Sequence, residues 1–191
     1  MQTRTRILEG LNVFRALEAW GAKLYAAWAE EEKDENLRAG HLIIAEREAN
    51  HARLLGEHIR ALGGEPGPAC VDGVLARQLD ELCGVRGLVA QLDALKAVNE
   101  RDAEALAGCR ETLDRGFEAA KEGDPATHRF WAALYSEERV SGGWYRAKYG
   151  ELSGARPRTF DLPVLAPGQV SRRAESATFT DGAAACASPT P

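Results

Sequence analysis

The sequence predicts an all-α fold, a bundle of four long helices with a C-terminal tail. Apolar residues recur at three- and four-residue steps over four long stretches. Glycine and proline punctuate the ends of those stretches, and one of the connections is too long for a hairpin. The chain has 191 residues, 45% of them hydrophobic, enough for one core but too few for two ordinary domains and a tail. We therefore expect one helical domain over 1–152 and an irregular, partly disordered segment over 153–191.

The first helix is expected from about Ile7 to Glu30, with Leu11, Phe14, Leu17, Gly21, Leu24, Tyr25 and Trp28 on one stripe. The acidic run from Glu30 to Asn36 carries no apolar residue and ends in an N-cap residue, so a short connection belongs there. A second helix follows from about Leu37 to Leu62. Its stripe holds Leu37, His41, Ile44, Glu48, His51, Leu55, His58 and Leu62, and it stops at Gly63-Gly64 ahead of Pro66 and Pro68.

The stretch up to about Gly84, with a short amphipathic piece around Val74, Leu75, Leu79 and Leu82, reads as a crossover. A third helix is expected over about Val85 to Glu122, with a break near Gly108 or Gly116. The fourth begins near Pro125, a favourable first-turn position, and carries Phe130, Trp131, Leu134, Tyr135, Val140, Trp144, Tyr145 and Tyr149. Gly142-Gly143 marks a local break or a close approach, since each glycine costs about 1 kcal/mol in a helix relative to alanine. Beyond Ser153 the periodicity ends, and Phe160 and Leu165 are the residues that would lay the tail on the bundle.

Composition narrows the function. A net charge of -5 and a pI of about 5.5 give no general attraction to phosphate backbones, so nucleic acid is disfavoured. No run reaches the roughly 18 apolar residues of a membrane span, and Arg4, Arg6, Glu9 and Arg15 interrupt any signal-peptide core, so we expect a cytoplasmic protein. Cys70, Cys83, Cys109 and Cys186 form no Cys-x-x-Cys pair and are expected as unpaired, reduced thiols.

The chemistry is concentrated on polar residues that interrupt apolar stripes. Glu48 and His51 are three residues apart on one face of the second helix, and a carboxylate on such a face needs a cation, a hydrogen-bonded partner or a metal. The first helix offers Glu18, the third Glu100, and the fourth either Glu137 or Glu138. His41 and His58 lie about 15 Å and 10 Å from His51 along the helix, too far to share one ion, and His128 belongs to the start of the fourth helix. Trp20, Trp28, Trp131, Tyr135, Trp144 and Tyr145 read as core.

Glu18 with Tyr25 seven residues on, Glu48-x-x-His51 ahead of a Leu-Gly-Gly helix end, Glu100, and Glu138 before Trp144-Tyr145 resemble the ferritin-like di-iron superfamily. The likeness is to its rubrerythrin-related and tRNA-hydroxylase-like branches, over about Ile7 to Tyr149. It implies iron bound by Glu18 and Glu100 as single carboxylates and by Glu48 with His51 as the first Glu-x-x-His pair. The second pair is incomplete, because Ser141 follows Glu138, and Val140 follows Glu137, where histidine belongs.

The resemblance thus implies a non-haem iron oxidoreductase of the oxygenase or oxidase type. Its centre would be atypical, holding two ions or one, with manganese as an alternative metal. Dioxygen and a small organic substrate would be its partners, and a homodimer its assembly. The alternative is a metal-free bundle with a structural or protein-interaction role.

Overall fold

The computed structural model describes residues 2–154. Six helices follow one another: α1 (Gln2–Glu31), α2 (Glu35–Ala61), α3 (Asp72–Leu82), α4 (Leu88–Arg101), α5 (Ala103–Gly123) and α6 (Pro125–Ser153). Among the described residues there is no strand, and no helix is long and apolar enough to cross a membrane. The tail expected over 153–191, with Phe160 and Leu165, falls almost wholly outside the described residues.

α1 is the hub. It packs along much of its length against α2 on one side and α5 on the other, while α6 packs on α4 and α5. Leu11, Phe14, Leu24, Tyr25 and Trp28 are fully buried, as are Leu55 and Ile59 of α2 and Trp131 of α6. Phe14 stacks on Tyr135 at 4.9 Å and on Trp131 at 5.8 Å, joining α1 to α6. These aromatics are core, as their spacing predicts.

The helix ends follow local chemistry. Asp34, not Asn36, caps α2: its carboxylate accepts the amides of Asn36 and Leu37. The end of α2 is closed by Gly63 N–H to Arg60 C=O and Gly64 N–H to Ile59 C=O, with Gly63 at φ 68°. That reversal needs a residue without a Cβ. Asp124 caps α6 through Thr127 N–H, with Pro125 in the first turn.

The linker between α2 and α3 is pinned to α1. Arg15 donates to Gly67 C=O at 2.7 Å, and Gly67 N–H donates to Asn12 at 2.9 Å. Trp28 Nε1 donates to Leu82 C=O at 3.0 Å, fixing the end of α3. The same linker carries Cys70 onto α5, where it is disulfide-bonded to Cys109. This corrects the expectation of unpaired thiols: the two residues are 39 apart in sequence, and only the fold-back of the linker brings them together. Cys83 is free.

Two other expectations change. The third helix is interrupted at Asp102, between α4 and α5, and not at either glycine. There the Asp102 carboxylate is held by Arg101 and by Gln78 and Arg77 of α3, which keep it well below the usual carboxylate range. Asp102 N–H still bonds Val98 C=O and Leu106 N–H bonds Asp102 C=O, so the backbone ladder carries across the interruption.

Gly116 is instead a contact point: a Cβ there would lie 2.8 Å from the Cα of Gly10, so the two glycines let α5 and α1 approach closely. Gly142 and Gly143 sit inside an unbroken α6. The packing of that helix outweighs the intrinsic cost of two glycines.

Candidate metal centre

Three helices bring acidic side chains to one buried point. Glu18 of α1, Glu48 and His51 of α2, and Glu138 of α6 are each no more than 2% exposed. His51 Nδ1 lies 3.0 Å from Glu18 Oε2 and 3.2 Å from Glu138 Oε1. On the other side of the ring, Nε2 lies 3.1 Å from Glu137 Oε2, and Glu137 is 57% exposed. The imidazole therefore faces two buried carboxylates with one nitrogen and a solvent-facing carboxylate with the other.

This geometry resolves the choice between Glu137 and Glu138. Consecutive residues on a helix point about 100° apart, so only one of them can enter the core. Glu138 does. Glu137 reaches His51 from outside and accepts Nε2–H; with the ring neutral in that tautomer, Nδ1 would present its lone pair between Glu18 and Glu138.

The electrostatics are those of a charge cluster out of water. Burial raises Glu18 to about 7, and the Glu138 charge adds to this, against the hydrogen bond from His51. Burial, together with Glu138 and Glu18, pushes Glu48 well up. Burial alone would lower His51, but Glu138, Glu18 and Glu137 outweigh it and raise the imidazole to about 10. Without a cation, the cluster holds together by keeping protons.

A metal fits this donor set. Glu18, His51 and Glu138 each offer one ligand atom, all within 4.8 Å of one another. Ligand atoms bound at about 2 Å to one ion lie about 3 to 4 Å apart, which matches the two Nδ1 separations. Glu48 Oε1 is buried without a hydrogen-bond partner. An orphaned buried acceptor costs about 1–3 kcal/mol, a cost that a cation would remove.

Glu100 is not part of this point. It is 64% exposed and paired with Lys96 on the surface of α4. The reason is periodicity: Leu88, Leu92 and Leu95 lead to Asn99, which is 2% exposed, and the next residue turns outward. The buried residues of α5 are Leu106, Cys109, Leu113, Gly116, Ala119 and Ala120, so α5 brings no carboxylate either. Ser141, standing where the second histidine is missing, is buried with its Oγ unpartnered.

The remaining histidines serve other contacts. His58 meets the Thr127 hydroxyl at 2.8 Å and stacks on Phe130, and His128 packs on Phe117. His41 is buried against Tyr145. Asn99, buried on the α4 stripe, is a further polar residue of the core, signalled in the sequence by its four-residue step from Leu95. No family model, curated protein or solved structure matches this chain.

Proposed function

We propose that the protein is a ferritin-like four-helix bundle that binds one redox-active divalent metal ion, iron or manganese, and works as a non-haem oxidoreductase. In this reading α1, α2, the α4–α5 pair and α6 are the four strokes of the bundle, and α3 belongs to the crossover between the second and the third. The observation that carries it is the meeting of Glu18, His51 and Glu138 from three helices around one buried point.

Glu18, His51 through Nδ1 and Glu138 would hold the ion, with Glu48 Oε1 beside it. One ion is favoured over two because Glu100 is on the surface and Ser141 replaces the second imidazole. An iron or manganese ion in such a site supplies one-electron chemistry and an open position for dioxygen or a small organic substrate. The chain's own part is to exclude water, fix the imidazole tautomer through Glu137, and set the ligand count.

A second reading has its own support. With His51 protonated, Nδ1–H faces Glu18, Nε2–H faces Glu137, and the cluster is a closed set of ion pairs that needs no metal. In that case the bundle would have a structural or protein-interaction role. The Cys70–Cys109 bridge is of a kind that persists in oxidising compartments, and it weighs against the cytoplasmic location expected from sequence. Titration of the metal-free protein with ferrous and manganous ions separates the readings: saturable binding at one ion per chain supports the first, and no binding supports the second.

A further inference from the structure

A second constellation lies two helical turns from the carboxylates. His41 precedes Glu48 by seven residues on α2, and Tyr145 follows Glu138 by seven on α6, about 10 Å along each axis. Both are buried. His41 Nδ1 lies 2.8 Å from the Tyr145 hydroxyl, while His41 Nε2 has no partner.

The surrounding rings are all oxidisable. Tyr25 stacks on Tyr145 at 5.2 Å and on His41 at 6.2 Å, Trp28 meets His41 at 5.8 Å, and Trp144 meets Tyr145 at 4.9 Å. Two of the chain's four tyrosines and two of its four tryptophans are gathered here. A purely packed core needs neither the phenol nor the imidazole, and burying an imidazole nitrogen without a partner costs stability.

We propose that Tyr145 and His41 form a one-electron donor to the site held by Glu18, His51 and Glu138. Tyr145 gives one electron to a metal ion in that site that a peroxide has oxidised beyond its trivalent state, and its phenolic proton passes to His41 Nδ1. The O–H bond breaks, an N–H bond forms, the metal is reduced by one electron, and a neutral tyrosyl radical faces an imidazolium. The destination of the electron rests on the metal-binding reading above.

The local chemistry suits this pairing. Burial, with Tyr25 and Glu48 adding, pushes the Tyr145 phenol well up, so it does not ionise on its own. A phenol that has lost an electron is a strong acid, and even a weak base at hydrogen-bond distance takes its proton. Burial lowers His41 to about 4, so the ring is neutral at pH 7. With its proton on Nε2, its Nδ1 lone pair faces the phenol.

The test uses the full chain with ring-deuterated tyrosine, read by electron paramagnetic resonance. In metal-free protein, oxidation by photogenerated tris-bipyridyl ruthenium(III) is expected to give a tyrosyl radical in wild type, Tyr25→Phe and Tyr149→Phe, and none in Tyr145→Phe. His41→Leu and His41→Gln, with helical circular dichroism retained, are expected to lower its yield about tenfold or more. No radical in wild type, a signal that survives Tyr145→Phe, or a wild-type yield in both His41 variants would overturn the pair.

A second arm loads wild type and His51→Ala with ferrous iron and adds hydrogen peroxide. The same radical in wild type, and its loss in His51→Ala, supports donation to the site; a wild-type signal in the ruthenium arm alone overturns that donation. Because the first arm contains no iron, failure to bind metal would sink the functional reading without altering the ruthenium result.

Discussion

His51 Nδ1 and Glu18 Oε2 lie 3.0 Å apart although 33 residues separate them, and both are buried. That contact ties α2 to α1 at the point where α6 adds Glu138. On the proposed reading a proton and a divalent cation compete for this place, and the behaviour of the protein follows from which of them holds it.

The competition fixes the pH dependence. Metal binding would have to release the protons that His51, raised to about 10, and Glu18, raised to about 7, hold, so affinity rises with pH from 6 to 9. In metal-free protein both groups hold protons that the unfolded chain loses at lower pH. Their stabilisation is present in acid and is lost as pH rises, through about 4.5 to 7 for Glu18 and 6.5 to 10 for His51. Thermal melts of metal-free protein should fall from pH 7 to 10, and saturating metal should flatten that fall.

His41 acts in the opposite direction. Its folded pKa of about 4 lies below the ordinary 6.5, so the unfolded chain binds the extra proton. Its contribution is complete above pH 6.5 and is lost as pH falls to 4, by about 3 kcal/mol at about 1.36 kcal/mol per unit. Urea unfolding of His41→Leu should show a shallower acid limb than wild type.

Glu137 orients the imidazole without entering the core. Glu137→Gln should weaken metal binding by about tenfold to a hundredfold and leave the stoichiometry at saturation unchanged. Calorimetric titration separates the two quantities, and an unaltered affinity would remove Glu137 from the account.

Ser141→His restores the missing Glu-x-x-His pair on α6 but not the absent carboxylate of the third stroke. The variant should still bind one ion per chain, since Glu100 remains on the surface and α5 presents only apolar and small residues to the core. Two ions per chain, counted by elemental analysis, would show that the histidine alone limited the site.

The Cys70–Cys109 bridge closes a loop of sequence separation 39. In the chain-entropy description this is worth about 4 kcal/mol. Cys70→Ser with Cys109→Ser should lower the urea midpoint accordingly while the helical circular dichroism is kept.

Much of this arrangement is visible in the chain. The stripe from Leu11 to Trp28, the stop at Gly63-Gly64 and the start at Asp124-Pro125 are local signals, and each has its counterpart in α1, α2 and α6. Glu18, Glu48 and His51 are legible because each interrupts an apolar stripe, whereas the sequence leaves Glu138 undecided against its neighbour Glu137. What the sequence conceals is long-range. The interruption at Asp102 depends on Gln78 and Arg77 from α3, and the disulfide depends on the path of the linker. Glu100 misled because a residue one step beyond the stripe position of Asn99 points about 100° away from the stripe.

The central claim is that one metal ion sits between Glu18, His51 and Glu138. We would measure iron, manganese and zinc per chain in protein purified from metal-supplemented cells, beside His51→Ala and Glu100→Ala. The account predicts about one ion per chain in wild type and Glu100→Ala, and a ratio near zero in a folded His51→Ala. An empty wild type, or a metal content untouched by His51→Ala, would contradict it.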